Sequence, residues 1–151
     1  MDRHKIDNFK RANPGSAFPR FRQLTEDERD GVKALVSKAL RVPILGDVDE
    51  LLRVIHGSTS IYTDRVPKAG GLPPGAPLAR FGVSAGSQIL INWHRFDAID
   101  EMSLGDLELY FDDIWYPGAD DIEVFDHTCA WFLLVSHDGL IDLVTAPCLE
   151  R

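Results

Sequence analysis

The spacing of apolar residues predicts two one-sided helices in the first third of the chain. The first begins after Thr25, which can form a capping box with Glu28, and ends before Pro43. The second begins after Asp47 and ends at Gly57, where a left-handed glycine often terminates a helix. Each helix has one apolar stripe, so it must pack against another element. The stripes consist of Val32, Leu35, Val36, Ala39 and Leu40 in the first helix and of Val48, Leu51, Leu52 and Ile55 in the second.

Short segments of strand character follow these helices. Residues 60–66, 88–93 and 121–125 are predicted strands, whereas residues 67–79 contain four prolines and three glycines, which exclude regular structure. A third helix is predicted to begin at Ser103, which can cap it. The apolar stripe of this helix consists of Leu107, Tyr110, Phe111 and Ile114.

The clearest predicted element is a β-hairpin near the end of the chain. Two apolar runs, residues 129–136 and 140–145, flank an Asp-Gly dipeptide that suits a two-residue type I′ turn. In that register Leu134 faces Leu143. Both faces of the hairpin are largely apolar, so we expect it to lie at the centre of the sheet or to be covered on both sides. Three residues are expected to be buried there: Leu133, Leu134 and Val144.

The expected fold class is α+β, with N-terminal helices packed on a mostly antiparallel sheet that has the C-terminal hairpin at its centre. A chain of 151 residues has the length of one ordinary domain. Residues 1–22 show no sustained period and are predicted to be an irregular basic arm, and residues 23–151 a single α+β domain. No apolar run approaches the roughly 18 residues of a membrane span, and the first residues do not resemble a secretory signal. We therefore expect a cytoplasmic protein that has no membrane partner.

The distribution of charge is more informative than the net charge of −8. Residues 1–22 contain six Lys or Arg and two Asp, whereas residues 86–151 contain two Arg and fourteen acidic residues. A folded region with this bias has a negative potential, which repels nucleic-acid phosphates and attracts basic molecules. The sequence therefore predicts a basic protein partner and no nucleic-acid partner, although a solvated acidic surface that only increases solubility is also compatible with it. The oligomeric state is not predicted.

One stretch combines this acidic character with aromatic residues. Nine of the fourteen aromatic residues lie between Trp93 and Phe132. Aromatic side chains can anchor a protein interface, while charges of one sign around them steer the partner. The predicted partner surface consists of Asp112, Asp113, Tyr116, Asp120 and Asp121. Replacing Asp112 and Asp120 by lysine is expected to leave stability unchanged or higher while weakening the complex.

Catalytic chemistry is the alternative function. A small metal-dependent or hydrolytic enzyme could use His127, His137 and nearby aspartates. The consecutive residues Ser136, His137 and Asp138 do not suit a catalytic triad, because neighbours on a strand point to opposite faces. No metal-binding spacing is present, so we expect neither a tightly bound divalent ion nor a cofactor. A third possibility is a regulatory domain that binds another protein.

The two cysteines are expected to be reduced. A two-residue turn would place Cys129 opposite Cys148, within reach of a cross-strand disulfide. A chain with only two cysteines is more typical of a reducing compartment, where both thiols pack as small apolar groups.

The C-terminal half contains the segments INWHRFD, YFDDIWYPGADDIEVFD and WFLLVSHDGLIDLV. In this pattern residues 88–145 resemble bacterial toxin-immunity proteins, the antidotes of contact-dependent and polymorphic toxin systems. The resemblance implies a non-enzymatic protein that binds one cognate toxin, commonly a basic nuclease, and covers its active site.

Overall fold

A seven-stranded antiparallel sheet with helices on both faces forms the described part of the chain, residues 1–43, 47–72 and 77–146 of a computed structural model. The fold class is α+β, as predicted. The helices are α1 (Arg3–Ala12), α2 (Glu26–Leu40), α3 (Val48–Gly57), α4 (Leu104–Leu109) and α5 (Phe111–Ile114). The strands are β1 (Phe21–Gln23), β2 (Ser60–Arg65), β3 (Gln88–His94), β4 (Ala98–Ser103), β5 (Ile122–Phe125), β6 (Trp131–Val135) and β7 (Leu140–Thr145).

The sheet has the strand order β1-β4-β3-β5-β6-β7-β2. Strands β3 to β7 fill the interior, and each pairs with the next one in space in an antiparallel arrangement. The two edge strands, β1 and β2, come from the N-terminal half of the chain. The C-terminal hairpin therefore lies inside the sheet, as its apolar faces predicted.

Successive residues of the interior strands bury their side chains on opposite faces of the sheet. On one face, Leu90 and Phe132 pack beneath α2 and α3. On the other face, Ile91 and Leu133 pack beneath α4 and α5. The sheet is thus the middle layer of three, and this position explains why β6 is apolar throughout.

The turn of the hairpin differs from the prediction. Ser136 and Leu140 close a three-residue loop, since the Ser136 N–H donates to the Leu140 carbonyl (3.0 Å) and the Gly139 N–H donates to Ser136 (2.8 Å). A type I′ turn needs positive φ at both central residues, whereas only Gly139 has it here (φ 82°). The Asp138 carboxylate instead accepts the Leu140 N–H (3.2 Å) and holds a type I turn.

The predicted register is consequently wrong by one residue. Leu134 faces Asp142 rather than Leu143, and Leu143 faces Leu133. The expected burial is confirmed because it follows from strand alternation and not from the turn. Three side chains are buried as predicted: Leu133, Leu134 and Val144.

The N-terminal signals of the predicted helices are confirmed. Thr25 and Glu28 form the capping box of α2, and Asp47 caps α3. Gly57 is the last residue of α3 and lacks the predicted left-handed conformation, which occurs instead at Arg41 after α2 (φ 58°). The third predicted helix, capped by Ser103, is interrupted at residue 110 and forms the short helices α4 and α5.

Residues 1–22 are largely ordered structure rather than the predicted irregular arm. Arg3–Ala12 form α1, which is capped by Asp2. Phe9 packs edge-on against Phe18 and Tyr110, with ring centres 5.3 and 5.7 Å apart. The only buried residues of α1 are Lys5 and Phe9. Because Phe9 is the only apolar residue among them, α1 lacks the repeated apolar spacing from which the other helices were predicted.

Candidate functional site

The five predicted partner residues lie on two segments in different environments. Asp112 and Asp113 belong to α5, whereas Tyr116, Asp120 and Asp121 lie in the turn between α5 and β5. The carboxylates of the second segment bind two side chains from elsewhere in the chain, Lys5 and His137.

The carboxylates of α5 are the more accessible group. Asp112 is exposed and accepts a hydrogen bond from the Gly71 N–H (2.8 Å). Partial burial, followed by the adjacent charge of Asp112, raises the pKa of Asp113. This direction means that the local environment disfavours a second negative charge.

An exposed leucine accompanies these carboxylates. Leu109, the last residue of α4, is 72% exposed. Asp106 lies three positions before Leu109 on α4 and is therefore its neighbour on that helix, and Asp112 and Asp113 follow on the next helix, α5. Within the described ranges, no basic nitrogen forms an ion pair with any of these acids. We call this surface the leucine patch; it consists of Asp106, Glu108, Leu109, Asp112 and Asp113.

Asp120 has an internal role. It forms an ion pair with Lys5 of α1, and its carboxylate also accepts the Tyr116 N–H (2.7 Å). The Lys5 ammonium lies 4.0 Å from the centre of the Tyr116 ring and 5.1 Å from that of Trp93. The Asp120 side chain is only 16% exposed. Lysine at position 120 is therefore expected to destabilise the protein, contrary to the expectation from the sequence, since it would place a second cation beside a buried one.

Asp121 also has a partner within the chain. It accepts hydrogen bonds from the backbone N–H of His137 (2.8 Å) and pairs with the His137 ring at Nδ1 (3.0 Å). Ser136 donates its hydroxyl to Asp138 and not to His137, so the three consecutive residues form no triad. Asp121 is exposed, but part of its hydrogen-bonding capacity is used to hold the hairpin turn.

The two histidines of the alternative function are not brought together. His127 bonds Glu101 (2.9 Å), which also accepts from Arg22 (2.9 Å). The hydrogen bond from His127, with Arg22 as a further contributor, lowers the pKa of Glu101. His137 lies elsewhere, at a cavity of about 410 Å³ that is lined partly by Lys68, Asp112 and Asp138.

No group of three or more His, Cys, Asp or Glu within the described residues is arranged to hold a metal ion. Burial, followed by the charge of Asp126, raises the pKa of the Cys129 thiol to about 12, so this group stays protonated at neutral pH. Cys148, its predicted neighbour, lies outside the described residues.

Two features of the site were missed by sequence reasoning. Leu109 lies off the apolar stripe of the third predicted helix, and this position was the available signal of an exposed apolar residue. The role of Lys5 had no comparable signal, because its partners follow it by more than 80 positions.

No protein-family model matches this chain, and comparisons with curated proteins and with solved structures found no similar protein. The resemblance of residues 88–145 to toxin-immunity proteins therefore stays a prediction. The described helices include none that is both long and apolar enough to cross a membrane.

Proposed function

We propose that this protein is a non-enzymatic, cytoplasmic binding protein that neutralises a basic protein partner, as bacterial immunity proteins do. The observation that carries the proposal is the leucine patch. Within residues 106–113 it combines a leucine that is 72% exposed with four carboxylates, none of which forms an ion pair in the described part of the chain.

The leucine patch combines an apolar side chain that a partner can bury with charges that attract a basic partner. Burying a leucine side chain against a partner contributes about 1.5–3 kcal/mol of hydrophobic free energy. The four carboxylates of the leucine patch increase the association rate with a basic surface and disfavour acidic partners. Burial and then the charge of Asp112 raise the pKa of Asp113, and a cation that approaches the two carboxylates offsets the second of these effects.

Partners inside the chain narrow the surface that is available to another protein. Lys5 neutralises Asp120, and the backbone and ring nitrogens of His137 hydrogen-bond Asp121. The proposed partner surface therefore moves from the five residues first predicted towards α4 and α5. In this proposal Asp112 and Asp113 keep their predicted role, and Leu109 replaces Tyr116 as the apolar anchor.

The test begins with the genes next to that of this protein: a toxin gene among them supplies the toxin domain for a binding measurement, and the absence of one counts against the proposal. We expect Asp112→Lys/Asp113→Lys to lower the association rate constant about tenfold at low salt and to weaken its salt dependence. Leu109→Ala should raise Kd about tenfold, mainly through faster dissociation. The matched control is Asp30→Lys/Asp97→Lys, which changes the net charge equally on exposed residues away from the patch.

Co-expression with the toxin tests neutralisation in cells. The parent and the control should protect the host, and the patch variants should protect it less. The proposal is wrong if the parent neither binds nor protects, or if the patch variants bind as fast and as tightly as the control.

Hydrolysis is the second candidate function, and the His137–Asp121 pair beside the cavity of about 410 Å³ is the observation that favours it. A histidine oriented by a carboxylate can act as a general base. His137→Gln separates the two functions, since it should abolish hydrolysis of a model ester but leave protection by a binding protein unchanged.

A further inference from the structure

The ammonium group of Lys5 is enclosed in a manner that resembles a ligand site. Lys5 is only 4% exposed. Its ammonium lies over the rings of Trp93 and Tyr116 and forms an ion pair with Asp120. Aromatic faces combined with a carboxylate are the chemistry by which proteins bind alkylammonium groups. We call Trp93, Tyr116 and Asp120 the ammonium cage.

The cage is built without α1. Trp93 comes from β3, and its indole N–H donates to Asp100 of β4 (2.8 Å). The turn that carries Tyr116 and Asp120 is held by a backbone hydrogen bond from the Asp120 N–H to the Tyr116 carbonyl (3.1 Å) and by one from the Tyr116 N–H to the Asp120 carboxylate (2.7 Å). The backbone that carries the walls of the cage is therefore positioned by the sheet and its loops, and α1 supplies the occupant.

The attachment of α1 is limited. Lys5 and Phe9 are its only buried residues, and its other side-chain contact with the cage is a hydrogen bond from Asn8 to the Tyr116 hydroxyl (3.4 Å). The N-terminal ammonium of Met1 also pairs with Asp100. Buried ion pairs contribute little net stability, because the desolvation of both charges offsets their attraction. The docked and undocked positions of α1 should therefore differ only modestly in free energy.

We propose that the ammonium cage is a binding site for the primary ammonium group of a lysine side chain, and that Lys5 fills it as an exchangeable internal ligand. This inference rests on the proposed function, because a basic partner supplies the competing lysine. The cage adjoins α5 through residues 115 and 116, so such a lysine would enter beside the leucine patch. Exchange would leave Lys5 free and would let the partner contact the surface beneath α1.

The affinity of the cage is tested without any partner, using n-butylammonium chloride on the Lys5→Ala variant. At 100 mM, n-butylammonium should raise the Tm of this variant by about 3 °C more than it changes that of the parent, which corresponds to a Kd near 10 mM. Neutral n-butanol is the matched control and should give no such difference. Lys5→Ala/Asp120→Asn should lose the response.

Exchange is tested on the parent, which also covers the case that Lys5→Ala does not fold. Hydrogen exchange of the α1 amides should be at least twofold faster in n-butylammonium chloride than in sodium chloride at equal ionic strength, while the amides of β6 stay unchanged. Equal rates in both salts would show that Lys5 is a fixed structural residue and would overturn the proposal. A missing rise in Tm for a folded Lys5→Ala variant would overturn it as well. Neither result depends on whether the toxin binds.

Discussion

Asp112-Asp113 and Asp120-Asp121 are identical dipeptides eight positions apart, yet the structure uses them in opposite ways. The first pair lies on α5 without a cationic partner among the described residues. In the second pair, Asp120 is bound to Lys5 and Asp121 to His137. The number of charges in a segment therefore does not give the potential of its surface. The final positions of the chain's own cations decide which carboxylates remain available to a partner.

Backbone geometry produces this difference. After α5 the chain turns through Gly118, which has φ 78°. The turn directs the Asp120 carboxylate back to the Tyr116 N–H and into reach of α1. Asp112 follows no such turn; its side chain is exposed, and among the described residues its hydrogen-bond donor is the Gly71 N–H.

The largest expected effect tests the internal role of Asp120. Asp120→Asn should lower the free energy of unfolding by about 1–2 kcal/mol, because it removes the counterion of Lys5, and the release of α1 into solvent limits this loss. Asp112→Asn, which keeps an acceptor for Gly71, should change it by less than about 0.5 kcal/mol. Urea unfolding of both variants measures the contrast. Equal effects would show that the two dipeptides do not differ as described.

A third carboxylate, Glu123, extends the comparison of Asp112 with Asp120, because its partner His56 can change its protonation near neutral pH. Glu123 is buried and pairs with His56 (2.8 Å), and this hydrogen bond raises the pKa of His56 above its ordinary 6.5. The protonated ring is thus favoured by folding. Its stabilising contribution is complete below pH 6.5 and is lost as the pH rises through the raised pKa.

The variant His56→Gln should therefore lose less stability than the parent between pH 6 and pH 9. The difference should be below about 1 kcal/mol, because the imidazole is half exposed to solvent. Urea unfolding at both pH values measures it. A parent and a variant with the same pH dependence would show that this pair contributes nothing to stability.

The smallest expected effect has the opposite sign. Asp113→Asn should raise the free energy of unfolding by a few tenths of a kcal/mol, because it removes a partly buried charge beside Asp112. In the parent, the raised pKa of Asp113 means that its unfavourable contribution develops as the pH rises through the acidic range and is complete near neutrality. The stabilisation by Asn should therefore be present at pH 7 and absent at pH 3. Destabilisation at pH 7 would place Asp113 among the internally used carboxylates.

Local signals in the sequence predicted local structure well. The capping residues Thr25 and Asp47 mark the helix starts, and strand alternation predicted the burial of Leu133 and Leu134. The hairpin register failed because an Asp-Gly dipeptide suits two turn types, and the side-chain bonds of Asp138 favour the three-residue one.

The candidate site was predictable only in part. The acidic and aromatic stretch contains part of the surface that we propose, and Asp112 is exposed as expected, whereas Asp113 is half-buried. The pairing of Asp120 with Lys5 could not be predicted, because it joins positions 115 residues apart and Lys5 has no apolar pattern around it. Long-range ion pairs depend on the completed fold, which short-range periodicity does not describe.

The two edge strands, β1 and β2, are synthesised before any of the five strands that lie between them. Ser60 and its partner Asp142, for example, are 82 positions apart. While a ribosome extends the chain, α2 and α3 emerge with apolar stripes that have no sheet to cover. Such long-range pairing is slow, and the exposed surface invites aggregation until the last strand is released. Nascent chains stalled before β7 should therefore be held by chaperones, and chains extended well beyond Thr145 should be released from them.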